Sequence, residues 1–300
     1  MVSSGILVMD KPAGPTSFEV VRRVRSLLKV EKAGHTGTLD PLATGVLPIC
    51  VGAATKIAGF IIEGKKSYDA LIRLGVETDT LDAAGQPISQ APVPNLSVSV
   101  LEGVLAKFRG SYLQVPPMFS AIKVGGRRLH ELARMGKTVQ REPRRVEVYE
   151  LALRDFSSTD VAISLTCSKG FFVRALAHDI GRELGCGGHL KALRRTSTGP
   201  FTLERALTLD RLAALISGPS GEQAIDREMI SMNEALVEMP ALQVSAADAR
   251  RVVHGVPIEC AAGSGRVRVL GPDGMLLAIG ERGQGPRLHY HRVLANGMGE

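Results

Sequence analysis

The chain has 300 residues, 44% of them hydrophobic and 22% charged, enough for a large core and in keeping with one large domain plus a small one. No apolar stretch approaches the roughly 18 residues of a membrane-spanning helix. The opening MVSSGILVMDKP has neither the basic start nor the long apolar run of a signal peptide, so a cytoplasmic protein without a membrane anchor is expected. Four widely spaced cysteines (Cys50, Cys167, Cys186, Cys260) form no C-x-x-C pair, and the seven histidines show no ligand spacing. Neither a disulfide framework nor a metal site is expected.

The net charge is +7, and it is unevenly spread. Lys123–Arg145 holds eight Lys/Arg against two Asp/Glu, and Lys169–Arg195 six against two. These windows carry +6 and +4, so the rest of the chain is about −3. A basic charge concentrated this way fits a polyanion such as RNA or DNA; a solvated, solubilising face is the plainer alternative.

In chain order, Gly5–Met9 reads as a buried strand. Thr16 and Glu19 have capping-box spacing for a helix running to about Leu28. Its apolar face is Val20, Val21, Val24, Leu27 and Leu28, with Arg22, Arg23 and Arg25 turned away. Gly34–Gly45 then packs three glycines, three threonines, one histidine (His35) and one carboxylate (Asp40) into twelve residues. Asp40 before Pro41 fits two readings: a helix N-cap with proline at the first helical position, or a carboxylate presented by an extended polar loop. The G-x-x-x-x-G-K-[ST] pattern of a P-loop is absent.

Farther along, Tyr68, Ala70, Ile72 and Leu74 alternate onto one face of a strand. Val146–Leu153 and Val161–Cys167 read as further strands. Leu176, Ile180 and Leu184 mark a helix near 173–184 that Gly185 stops. Arg174 falls in its first turn, where a cation opposes the helix dipole unless an anion lies nearby. Ser217–Glu222 is a loop-forming cluster. The tail then changes character: a short helix at Ala246–His254, strands at Val267–Leu270 and Met275–Ile279 around Gly-Pro-Asp-Gly, and a last strand within Pro286–Leu294. Strands and helices mix without the steady alternation of a doubly wound sheet.

The run Ala33–Thr55 (AGHTGTLDPLATGVLPICVGAAT) closely resembles the signature of the TruB-type bacterial tRNA pseudouridine synthases. So do Asp10-Lys11-Pro12, KKSYDALIRLG (65–75), QVPPMFSAIKVGGRRL (114–129) and CSKGFFVRALAHDIG (167–181), in the family's order. The resemblance implies an α+β catalytic domain over 1–238, built on a mixed, mostly antiparallel sheet flanked by helices. It also implies an RNA-gripping insertion at about 110–145 and a small PUA-like β-barrel over 239–300. The implied reaction is isomerisation of uridine 55 in the tRNA T loop by a monomer. It breaks the C1′–N1 bond and rejoins the base through C5, so it draws on no cofactor or metal.

By the same resemblance, Asp40 is the catalytic carboxylate, Arg174 its ion-pair partner, and Tyr68 the ring that stacks on the base and relays the C5 proton. His35 fills the space left by the flipped nucleotide, since base flipping costs a few kcal/mol that stacking partly offsets. Lys11 supports the active-site loop. Lys123, Arg127, Arg128, Arg134 and Arg194 are expected to contact the RNA, making binding salt-sensitive. Two positions depart from the family's pattern: Phe172 and His130 stand where tyrosine is usual. Phe172 still offers a ring but no hydroxyl. A catalytic subunit of an RNA-guided particle and a non-catalytic RNA-binding protein on the same scaffold are the competing readings; a phosphate-cradling nucleotide enzyme lacks its fingerprint.

Overall fold

A computed structural model describes residues 4–294. Strand β1 (Gly5–Lys11) leads into helix α1 (Ser17–Leu28), whose capping box is complete: Thr16 and Glu19 satisfy each other's backbone N–H. The helix buries Val20, Val21, Val24 and Leu28, the stripe its periodicity marks out. Strands β2 (Ala33–His35) and β3 (Thr44–Val51) follow, then a helical stretch ending in α2 (Ala58–Ile61), strand β4 (Lys66–Leu74) and the hairpin β5 (Val76–Thr78) and β6 (Pro87–Gln90).

Helix α3 (Val98–Ala106) and strand β7 (Gly110–Gln114) precede a basic excursion. It carries a two-residue hairpin, β8 (Lys123–Val124) and β9 (Arg127–Arg128), and a short helix α4 (Leu129–Arg134). Gly125 and Gly126 form the tip with φ of 57° and 82°, the doubly positive turn for which two glycines are suited. The long strands β10 (Arg144–Phe156) and β11 (Asp160–Cys167) return to the body, followed by α5 (Val173–Glu183), β12 (Gly188–Thr198) and β13 (Phe201–Thr202). Because β7 and the start of β10 pair with each other in the main sheet, the excursion proper is 115–143, narrower than the expected 110–145.

The nine-stranded sheet has the order β1-β3-β12-β4-β11-β10-β7, with β2 on β3 and β13 on β12. The β3–β12 pair is parallel and the other pairs antiparallel, the mixed, mostly antiparallel arrangement expected. Helices α6 (Leu209–Ser217) and α7 (Gly221–Glu228) come next. The Ser217–Glu222 cluster thus forms the tight turn between these packed helices.

Strand alternation builds two cores. Leu7, Met9, Leu47 and Ile49 face a large cluster with α1, α5, α6 and the Tyr68–Leu74 face of β4. Ile6, Val8, Val46 and Cys50 face the opposite side and join a second cluster. Burial on both faces is why β1 and β3 read as unbroken apolar runs.

The tail comprises β14 (Ala241–Gln243), α8 (Ala246–Val253), β15 (Gly265–Leu270), β16 (Leu276–Arg282) and β17 (His289–Val293). Its strands form a four-stranded sheet in that order, with the Gly271–Gly274 turn joining β15 to β16. Where a small barrel was expected, β14 and β17 do not pair with each other among the described residues. Leu270, Leu276, Ile279 and Leu294 enter the second core beside Ile6 and Val8. Arg268 fixes the junction further, donating to the Met239 carbonyl at 2.8 Å and the Asn233 carbonyl at 3.0 Å. All four cysteines are free. No helix among the described residues is long and apolar enough to cross a membrane.

Candidate active site

Asp40 is not a helix N-cap. Residues 40–43 make one tight turn, with Ala43 N donating to the Asp40 carbonyl at 3.0 Å, and the chain passes directly into β3. The outside of the turn is fixed by buried polar groups. The Ser17 hydroxyl donates to the Leu39 carbonyl and accepts from the Leu39 N–H. Lys11, fully buried, donates to the carbonyls of Pro12, Pro41 and Ala43 at 2.9, 3.2 and 2.7 Å. In β1, Lys11 continues the inward series Leu7, Met9, so its stem crosses the core and its ammonium ends under the Asp40 turn. Burial lowers its pKa to about 8, with Arg195 adding to the fall and Asp40 resisting it. Lys11 therefore shapes the loop from behind.

Arg174 meets Asp40 from α5. Its Nη2 donates to Oδ1 at 3.3 Å, and Nε lies 2.9 Å from Oδ2, off hydrogen-bond alignment. The guanidinium also donates to the carbonyls of Thr80 (3.0 Å) and Phe119 (2.9 Å) and lies 3.5 Å from the Asp82 carboxylate. Arg174 is 5% exposed, and two carboxylates answer the cost of burying it. Asp82, also buried, is fixed by the Thr80 hydroxyl (2.7 Å) and the Ala84 N–H (3.0 Å). Leu81 between the two acceptors has φ +64°. This strained left-handed residue lets the Thr80 carbonyl and the Asp82 side chain converge on one nitrogen. Burial raises the Asp40 pKa above the usual carboxylate range; Arg174 pulls against that, and Asp82 adds to it.

Tyr68 and Phe172 complete the pocket. A cavity of about 380 Å³ is lined by Asp40, Tyr68, Ser120, Phe171, Phe172, Arg174 and Leu193, among others. This is within the size range of small-ligand sites. Burial pushes the Tyr68 phenol up to about 12. Phe172 is held by its backbone: buried Gln114 accepts from the Phe172 N–H at 2.9 Å and donates to its carbonyl at 3.1 Å. The ring is therefore placed without a hydroxyl anchor. Larger hollows of about 720 and 620 Å³ lie over the opposite face of the sheet, and neither is lined by Asp40 or Arg174.

His35 leaves β2 just before the turn, its Nδ1 accepting from the Gly37 N–H at 3.3 Å. Burial, with Arg195 nearby, lowers its pKa and favours the neutral ring. Lys123, Arg127, Arg128 and Arg134 are all exposed on the excursion. The excursion is tied to the body through the Arg174–Phe119 bond and braced within itself by His130, whose backbone and ring both reach the Ser120 carbonyl at 3.0 Å. Among the described residues no cluster of three His, Cys, Asp or Glu has the geometry of a metal site.

Arg194 departs from expectation. In the β12–β4 register it lies opposite Asp69, whereas Arg195 lies opposite Tyr68. The strand therefore sends Arg194 to the outer face, where it pairs with Asp10 at 2.8 Å, and sends Arg195 inward. Arg195 is 1% exposed and donates to the carbonyls of Val46 (2.7 Å) and Gly37 (3.2 Å). Gly45 is required beside it, since a Cβ there would collide with the Arg195 carbonyl. Sequence reasoning missed Asp82, Gln114 and Arg195. Extending strand alternation through residues 193–195 finds the last; no local signal marks the other two.

Comparison with known proteins places this geometry in context. Residues 25–173 match the profile described as TruB family pseudouridylate synthase (N terminal domain). Residues 174–237 match the tRNA pseudouridylate synthase B C-terminal domain, and 239–295 match tRNA Pseudouridine synthase II, C terminal. The tRNA pseudouridine synthase B of Pseudomonas fluorescens (strain Pf0-1) is 43% identical over 293 residues, covering 97% of this chain and 95% of that one. That of Francisella philomiragia is 52% identical over 213 residues, 71% and 70% of the two chains. Among solved structures, a chain of a Cbf5-Nop10-Gar1 complex superposes with TM-score 0.78 at 26% identity, over 97% of this chain and 85% of its own. A chain of an H/ACA RNP bound to a substrate RNA containing 2'-deoxyuridine gives 0.75 at 25%, over 97% and 85%. With an aspartate–arginine pair beside a tyrosine in the pocket and matches along nearly its whole length, this chain belongs to the TruB family of pseudouridylate synthases.

Proposed function

We propose that this protein converts uridine to pseudouridine in tRNA, at the T-loop uridine numbered 55, acting as a monomer in the cytoplasm without guide RNA, cofactor or metal. The observation that carries the reading is the Arg174–Asp40 pair facing Tyr68 across a cavity of about 380 Å³. Asp40 is the carboxylate that acts at the sugar–base junction, and Arg174 keeps it ionised against its burial. Once the C1′–N1 bond breaks, the uracil turns within the cavity and rejoins C1′ through C5. The Tyr68 hydroxyl gives its proton to N1 and its oxygen then takes the proton leaving C5, so the phenol is restored and the product is an isomer. Phe172 packs against the base, His35 takes the place of the extruded nucleotide, and Lys11 holds the loop.

The exposed Lys123, Arg127, Arg128 and Arg134 supply phosphate contacts, which reduce counterion condensation and so depend on salt. Arg194 is withdrawn from this set because its side chain lies across the sheet from the pocket. Residues 1–238 form the catalytic part and 239–300 an RNA-binding tail. The supports are the relatives named tRNA pseudouridine synthase B and the basic excursion anchored beside the pocket, which equips the protein to grip RNA unaided. Incubating the purified protein with an unmodified tRNA transcript alone, then mapping pseudouridine by carbodiimide primer extension, tests the reading. Product at the T-loop site is expected; activity only with an added guide RNA overturns stand-alone action.

A further inference from the structure

Arg195 is a fully buried guanidinium with no carboxylate partner among the described residues. Its hydrogen bonds go to the Val46 and Gly37 carbonyls, and its ionisable neighbours include Lys11, Lys66 and His35, each of whose pKa it helps to lower. An isolated buried charge is costly, and an apolar side chain would fill the same core position without that cost. On the adjacent strand it lies directly opposite Tyr68, and its positive charge favours the ionised form of that phenol. Burial, Cys167 and Asp40 all disfavour negative charge on that phenol, whereas Arg195 favours it. Arg174 is not free for the task, since it already serves Asp40, Asp82 and the carbonyls of Thr80 and Phe119.

We propose that Arg195 is a positioning residue for the proton-transfer half of the reaction: its guanidinium orients the Tyr68 hydroxyl and stabilises the phenolate left when that hydroxyl gives its proton to uracil N1, and the phenolate then takes the C5 proton and returns to the phenol. The guanidinium's second anchor, the Gly37 carbonyl, ties this alignment to the loop that carries His35. The charge has no partner at rest because its partner forms during the reaction, the logic of preorganised electrostatic stabilisation.

This inference rests on the proposed pseudouridine synthesis, and the wild-type protein in the same assay tests that reading separately. Full-length wild type, Arg195→Gln and Arg195→Lys are compared in single turnover at saturating enzyme, on tRNA carrying protium or deuterium at uridine C5. Arg195→Gln is expected to react about 100-fold more slowly, with tRNA affinity retained and a larger C5 isotope effect, because proton removal becomes more rate-limiting. Arg195→Lys, with the charge but not the fork, is expected to fall between the two in rate and isotope effect. Thermal melts identify folded variants, and if Gln does not fold, Lys decides. An isotope effect equal to wild type in every folded variant, whether or not the rate falls, overturns the proposal. If the wild type itself makes no pseudouridine, it is the reading of function that fails.

Discussion

Two Arg–Asp pairs lie on opposite faces of the same sheet and show what burial does to one chemistry. On the inner side Arg174 and Asp40 meet at the cavity, with the arginine 6% exposed at its side chain. On the outer side Arg194 and Asp10 make a well-formed pair at 2.8 Å, with side chains 41% and 25% exposed. The outer geometry is the better hydrogen bond, yet solvent screens it, and such pairs contribute about 0–1 kcal/mol. The inner pair is less well aligned but partly desolvated, so losing one partner leaves a buried charge behind. Position in the sheet, rather than bond length, separates the cavity pair from the surface one.

Substitutions can break or sharpen this contrast. Asp40→Asn is expected to have the largest effect, a loss of pseudouridine formation of about 10³-fold or more with tRNA binding retained; filter binding beside a product assay checks both. Arg174→Lys keeps the charge but loses the fork that reaches Asp40, Asp82 and two carbonyls, and about a 100-fold loss of rate is expected in single turnover. If the lysine variant matches wild type, positioning by the guanidinium is not what the inner pair supplies.

A smaller effect is expected from pH and from Asp82. The raised Asp40 pKa means that the folded state holds this proton more tightly than the unfolded chain. Its contribution to stability is therefore present at low pH and is lost as pH rises through the folded pKa, while the ionised carboxylate appears over that same rise. The acid limb of the single-turnover profile should accordingly lie above the ordinary aspartate value of 3.8. Asp82→Asn removes a negative charge that raises this pKa and should move the limb to lower pH, with about a tenfold loss of rate as Arg174 loosens. The smallest effect is expected at the outer pair: Arg194→Ala or Asp10→Ala should change stability by about 0–1 kcal/mol in chemical denaturation and leave turnover unchanged.

Much of this architecture is legible in the residue order. The capping box at Thr16, the alternation of β4 and the periodicity of α5 are local signals, and each element forms where its signal lies. Asp40 shows the limit. Asp-Pro is equally good chemistry for a helix start and for a turn, and Ser17 and Lys11, remote in sequence, are what hold the turn. Asp82 is similarly hidden, because its role depends on a left-handed Leu81 and on a helix some ninety residues away. Arg194 and Arg195 are indistinguishable by composition; the register of β12 against β4 decides which one turns inward beside Tyr68.

The second core has a consequence for how the protein is made. Ile6 and Val8 leave the ribosome well before Leu276, Ile279 and Leu294, which share their core. Strand β1 must therefore wait, partly uncovered, until the tail is made. A truncation that removes the tail does more than delete an RNA-binding module: it strips the lid from apolar surface on the body and invites aggregation.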